Sequence, residues 1–240
     1  MRKLELSPRL QLLADWVKPG ARLADVGTDH AYLPVWLWLH GRVVSAIACD
    51  LREGPLARAR ETGRTYGVDG EIDFRLGDGL SVVSPEETDT IAIAGMGGEN
   101  IAAILAMAPW AARGGHTLLL QPQTRAETLR KFLADNGYAI RREALVEDRG
   151  TIYPVLEAGG GEMSLSLGQL YGGAALLQDP LGDRYIIEKI IRLQGVVAGV
   201  NRSSGGQEKG DALREAITAL LSMREEWRCA KSQRDRRCSF

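Results

Sequence analysis

The stretch Leu23-Ala-Asp-Val-Gly-Thr-Asp-His-Ala-Tyr-Leu-Pro34 leaves few folds open to this chain. It begins as an apolar run, Arg22 to Val26, between Pro19-Gly20 and Gly27, which is the pattern of a buried parallel strand. The chain then turns at Gly27 and enters an apolar helical stretch, Ala31 to Leu39. A strand ending in a carboxylate (Asp25), then a glycine, then a helix start is how open α/β sheets hold nucleotide-like ligands. The glycine lets backbone approach the ligand, and the helix N-terminus adds partial positive charge.

The dinucleotide fingerprint Gly-x-Gly-x-x-Gly is absent. Counted from Gly27, its later positions fall on Asp29 and Tyr32. A carboxylate where a pyrophosphate would lie is repulsive, so the loop disfavours NAD. It suits a ligand carrying positive charge, such as the sulfonium and amino group of S-adenosyl-L-methionine. Asp29 also has the residue type of a helix cap, and that alternative stays open here. Capping leaves the close succession of His30, Tyr32 and Pro34 unexplained.

The rest of the chain repeats the theme. Leu10, Leu13, Ala14 and Val17 recur at helical spacing ahead of the key strand, with Arg2, Lys3 and Arg9 on or near that helix. Val43 to Cys49 reads as a second strand, closed by Asp50, which is placed to bond ribose hydroxyls or else sits in a surface loop. Gly54 to Tyr66 is the next helix. Ile72 to Leu76 is a third strand, running into Gly77-Asp78-Gly79-Leu80, either a turn or a carboxylate for an adenine amino group. Thr90 to Ala94 is apolar enough for the centre of the sheet and opens into Gly95-Met96-Gly97-Gly98, then a helix from Asn100 to Met107. Those glycines form a tight turn or let a planar ring lie on backbone, with Met96 as an adaptable wall. His116 to Leu120 is a fifth strand, followed by Gln121-Pro122-Gln123 and a helix from Arg125 to Asn136. Tyr138–Val146 and Thr151–Glu157 flank Glu147-Asp148-Arg149-Gly150, a hairpin signal.

Strands and helices thus alternate five times before a hairpin closes the series. This predicts a doubly wound, Rossmann-like methyltransferase sheet ending in an antiparallel pair, with the carboxylates at the strand ends where ligands bind. The composition shifts at Ala158-Gly-Gly-Gly161, which divides a catalytic domain (1–160) from a helical domain (161–240). Tyr185, Ile186, Ile190, Leu193, Val197 and Val200 form one apolar seam there. Leu213, Ile217, Leu220 and Trp227 form a second beyond the polar loop Asn201–Gly206, giving an antiparallel, coiled-coil-like helical hairpin. In the tail, Arg228, Lys231, Arg234, Arg236 and Arg237 face only Asp235, as a solvated end or as a contact for RNA phosphates.

Composition narrows the function classes. With 240 residues and 45% hydrophobic content, the chain can build one large core, or one core plus a small appendage. A net charge of −1 gives no global field for nucleic acid, so such a partner must meet local patches. Cys49, Cys229 and Cys238 have neither zinc nor disulfide spacing, which points to a reducing cytoplasm. No signal core or membrane-length apolar run is present, so a soluble chain is expected.

Several segments resemble the TrmK-type bacterial tRNA methyltransferases, which methylate N1 of the adenine at position 22. They are Leu6-Ser-Pro-Arg-Leu10, Ala24–Pro34, Gly54-Pro55, Gly77-Asp-Gly-Leu80, Ile91-Ala-Ile-Ala-Gly-Met-Gly-Gly98 and Leu120-Gln-Pro-Gln123. Asp50 stands where members often have Glu, and either can bond ribose. The Ser-Ser-Gly-Gly loop and the Arg-rich tail have no counterpart in the resemblance. It implies S-adenosyl-L-methionine as cofactor, held by Asp25, Gly27, Asp50, Leu51, Asp78, Gly79, Gly95 and Met96. It implies tRNA as substrate; no obligate protein partner is evident, and no metal is expected because no His/Cys/carboxylate cluster has ligand spacing. Because adenine N1 already carries a lone pair, the enzyme must extract, align and charge-compensate the base rather than deprotonate it. Asp29 is then the acceptor for charge developing on the ring, with His30 and Tyr32 orienting or stacking the base. Arg9 would meet a phosphate, and Pro34, Gly97 and Gln121 would border the substrate. The rival readings are a NAD-dependent oxidoreductase, a non-catalytic RNA-binding module, and the same chemistry on another RNA or a small molecule.

Overall fold

Each apolar run forms the strand its pattern predicts. The computed structural model describes residues 3–200 and 207–237. Helix α1 (Pro8–Trp16) precedes β1 (Ala21–Val26), followed by α2 (Tyr32–Leu39), β2 (Val43–Asp50), α3 (Glu53–Tyr66) and β3 (Ile72–Leu76). Next come β4 (Thr90–Gly97), α4 (Gly98–Ala106), a short α5 (Trp110–Arg113), β5 (Thr117–Thr124) and α6 (Ala126–Asp135). The hairpin β6 (Tyr138–Asp148) and β7 (Thr151–Gly160) completes a seven-stranded sheet of order β3-β2-β1-β4-β5-β7-β6. β3, β2, β1, β4 and β5 are parallel, and β7 pairs antiparallel to both β5 and β6. The order reverses between β1 and β4, and the loops beyond that switch point form the crevice in which such sheets bind ligands.

Alternate residues of each central strand feed opposite faces. Leu23, Ala46, Ala92 and Leu119 pack with Leu13, Leu33, Leu37 and Ala59 from α1, α2 and α3. Ala24, Ile47, Ile91 and Leu118 pack with Ile101, Leu105, Leu129 and Leu133 from α4 and α6. Each such leucine or isoleucine contributes about 1.5–3 kcal/mol when fully buried. Two layers of helix on a nearly all-apolar sheet hold the strand ends in place for the site.

Three segments differ from the sequence expectation. β4 continues through Gly95 and Met96, and β5 continues through Gln121-Pro122-Gln123, so both turn-like motifs lie in the sheet. Pro122 is tolerated because it sits opposite Met96, where the ladder is interrupted on both sides by register shifts. The glycines after Ala158 are also in register: Gly159 pairs with Ala139 and Gly160 with Tyr138.

The chain divides into two compact units, Met1–Met163 and Ser164–Phe240. In the second, α7 (Leu167–Gly172) precedes α8 (Gly182–Val200) and α9 (Gln207–Arg237). Ile186, Ile190, Leu193, Ala216 and Leu220 are buried, and Asp183 near the start of α8 bonds Arg224 (2.5 Å) and Arg228 (3.3 Å) far along α9. The two helices therefore run antiparallel, and the Arg224 guanidinium holds the Asp183 carboxyl below the ordinary carboxylate value. Arg2, the loop Asn201–Gly206 and the side chains of Val200, Lys231, Arg234, Asp235, Arg236 and Arg237 lie outside the described residues.

Candidate functional site

The loop after β1 is built on three left-handed residues. Gly27 (φ 73°), Asp29 (φ 43°) and Ala31 (φ 53°) alternate with Thr28 and His30. The amides of Gly27 and Thr28 both donate to the Cys49 carbonyl at 2.8 and 3.0 Å, which ties the loop to the end of β2. Glycine is required at position 27 twice over, by its positive φ and because a Cβ there would overlap Met96 Cε. Ala31 occupies the N-cap position of α2, which has no side-chain cap. Asp29 is therefore not a helix cap; its carboxylate accepts from Arg58 Nη2 at 2.5 Å.

Asp25, at the end of β1, is almost wholly buried, and Thr28 Oγ1 donates to it at 2.5 Å. Burial pushes its pKa up to about 6, nearby Asp50 adds to the rise, and the Thr28 hydroxyl opposes it. A buried carboxyl with so little compensation within the protein is arranged to meet a cation. Asp50, at the end of β2, turns one oxygen to the Arg52 amide at 2.9 Å. The Cys49 thiol beneath them is pushed up to about 12 by burial, then by Asp25 and Asp50, so it stays protonated.

A second network forms the other wall. Gly95 (φ 80°) donates its amide to Gln121 Oε1 at 3.2 Å, and Arg9 Nη1 donates to the same oxygen at 3.1 Å. Arg9 Nε is 2.7 Å from Asp148 Oδ2, and its guanidinium lies 5.0 Å from the Tyr153 ring centre. Gln121 is fully buried and donates to the Pro122 carbonyl at 3.1 Å, so its orientation is fixed.

These groups enclose one cavity of about 1180 Å³ beyond the ends of β1, β2 and β4. It exceeds the ~300–1000 Å³ usual for a single small ligand, leaving room for two reactants. Asp25, Asp29, Asp50 and Asp78 all line it, as do Gly27, Leu51, Gly79, Gly95 and Met96. His30, Tyr32, Arg9 and Gln121 do too. The donor set fits a cationic adenosyl ligand: several carboxylates, an open backbone at Gly95 and a methionine wall.

Residues 6–156 match the methyltransferase domain family. The chain is also 40% identical over 179 residues to the Bacillus subtilis tRNA (adenine(22)-N(1))-methyltransferase, covering 72% of this chain and 75% of that protein. It belongs to that TrmK methyltransferase family. The solved B. subtilis m1A22 tRNA methyltransferase TrmK superposes with a TM-score of 0.83 at 32% identity, over 92% of this chain and 100% of that one. M. capricolum TrmK, solved with S-adenosyl-homocysteine, gives 0.73 at 25% identity, over 90% and 99% of the two chains.

Membership fits the cavity, and the structure places two of the expected site residues outside it. Pro34 is buried inside α2 and does not line the cavity. Gly97 does not line it either; it precedes α4 with Thr124 Oγ1 packed against the place of a Cβ. Arg9, expected to meet a phosphate, lines the cavity with its guanidinium bonded to Asp148 and Gln121. Sequence reasoning also missed Thr28, Arg52 and Arg149 in the lining. Arg149 stands on the β6–β7 turn with Gly150, both at positive φ (51° and 77°), a two-residue hairpin legible from its glycine but not aimed by it.

Proposed function

We infer that this chain methylates N1 of adenine 22 in tRNA, with S-adenosyl-L-methionine as the methyl donor. The observation that carries the reading is the convergence of Asp25, Asp29, Asp50 and Asp78 on one cavity at the switch point of the sheet. Membership of the TrmK family supports the substrate, and with it a cytoplasmic site of action.

When bound, the cofactor supplies an electrophilic methyl on a positive sulphur. Asp25 would receive its cationic amino group, Asp50 its ribose and Asp78 its adenine amine, with Gly27 and Gly95 allowing the close approach. Asp29 accepts from the exocyclic amine of the target adenine and stabilises the charge that develops on the ring. Arg58 keeps that carboxylate pointed at the mouth, and Gln121, braced by Arg9, marks the far side of the target pocket. His30 and Tyr32 stack against the everted base. The same carboxylates repel a pyrophosphate, which disfavours a NAD-dependent reading.

The test is methylation of unmodified tRNA with mapping of N1-methyladenosine. Wild type should modify adenine 22, and Asp29→Asn should lower kcat about 10²–10³-fold, the size of loss seen when one charge-stabilising contact is removed. S-adenosylhomocysteine affinity should stay within about twofold if Asp29 acts on the base alone. Modification at another nucleotide, or none, would overturn the assignment.

A further inference from the structure

A second cavity of about 800 Å³ adjoins the first. Glu5, His30 and Tyr32 line both, so those side chains form the partition. The His30 and Tyr32 rings are parallel to within 6°, with centroids 5.1 Å apart, and both are about 40% exposed. Half-buried Tyr66 at the end of α3 also lines it. Two cations border it. Arg58 reaches from α3 and is half exposed while bonding Asp29, and exposed Lys3 has no acidic partner among the described residues. Of the two acids in the lining, Glu61 is paired with Arg64 at 3.5 Å, which leaves Glu5 at the partition.

Flat aromatic faces beside exposed cations are the means by which proteins hold single-stranded nucleotides. A base everted into the main cavity brings its covalent neighbour with it, and that neighbour loses its own stacking partner. We propose that the second cavity takes the nucleotide adjacent to the methylated adenine. Its base packs on the His30–Tyr32 pair and Tyr66, and its phosphate sits on Lys3 and Arg58. This rests on the methyltransferase reading above. It gives the Asp29–Arg58 pair a double purpose, since one guanidinium orients the carboxylate for the target and faces the phosphate next door.

The experiment compares intact tRNA with tRNA lacking the base at either neighbour of adenine 22, for wild type and for Thr65→Trp. Thr65 is exposed on α3 and lines only the second cavity, so the indole narrows it without disturbing the core. For wild type, removing the base on one side should raise KM about 5- to 100-fold, as loss of one stacked base does. For Thr65→Trp, KM for intact tRNA should rise about tenfold, and removing that base should then add no more than about twofold. Affinity for S-adenosylhomocysteine and kcat should be unchanged. Lys3→Ala, remote from the core, should raise KM and lower the salt dependence of KM by about one phosphate contact. An equal penalty for the missing base in wild type and Thr65→Trp, or an unaltered KM for intact tRNA, overturns the proposal. Failure of wild type to methylate intact tRNA strikes the parent reading, and this one falls with it.

Discussion

Asp25 couples cofactor affinity to pH, and the structure fixes the direction. Its carboxyl is displaced from 3.8 to about 6 by burial and by Asp50. A folded-state value above the unfolded one means the free protein binds this proton more tightly than the unfolded chain does. The stability this group contributes is therefore complete below the ordinary carboxylate value and is lost as pH rises to about 6. At about 1.36 kcal/mol per unit, ionising Asp25 costs the free protein roughly 3 kcal/mol by neutral pH. A cationic amino group placed against it offsets that cost, so the ligand binds the ionised form. The ionised fraction rises from about a tenth at pH ~5 to about nine tenths at pH ~7. Calorimetric titration with S-adenosylhomocysteine should show about tenfold weaker binding at pH ~5 than at pH ~7, with a plateau above. Asp25→Asn keeps the shape and a partner for Thr28, and should remove the pH step, weaken binding at neutral pH, and raise the stability of the free protein by about 2–3 kcal/mol. An affinity that does not change across that window, or an Asn variant that binds as wild type does, would refute the argument.

Three further outcomes follow from the same geometry. S-adenosylhomocysteine at about 100 times its Kd should stabilise the protein by about 2.7 kcal/mol in a thermal melt, and NADH at the same concentration should not; the reverse result would favour the oxidoreductase. Gly27→Ala should cost about 1–2 kcal/mol for the left-handed backbone and lose cofactor binding, and Met96→Ala added to it should restore part of the stability in urea melts by removing the overlapping Cε. Glu143→Ala should lower stability by about 3–5 kcal/mol in the same assay, because Arg130 and Glu143 lie 2.7 Å apart with side chains 0% and 1% exposed; a change under about 1 kcal/mol would mean the pair is solvated.

The alternation of strand and helix was legible because buried parallel strands are almost continuously apolar, as Ala21–Val26 and Thr90–Ala94 are. The extensions of β4 and β5 were hidden by Gly95 and Pro122, residues that normally end strands. They persist there because each ladder is interrupted at the point where the other carries its breaker. Helix α7 was hidden for a related reason. Its Gly168 and Gly172 look like linker but are small because α9 packs on them: a Cβ on Gly172 would overlap Met223 and Ile186. In the site, the carboxylates were readable from their place at strand ends. Their partners were not, since Arg58 is 29 residues from Asp29 and Arg9 is 139 from Asp148. Pro34 was misplaced because motif spacing carries no information on which way a side chain faces within a helical turn, and Gly97 because a run of glycines does not tell which of them borders the cavity.

The bridge from Arg9 to Asp148 has a consequence for biosynthesis. Helix α1 leaves the ribosome carrying a guanidinium whose counter-ion is made 139 residues later. Until the last hairpin emerges, Gln121 lacks its brace and the far wall stays unassembled. A nascent chain arrested before Asp148 would thus hold the glycine loop and its carboxylates without a finished pocket.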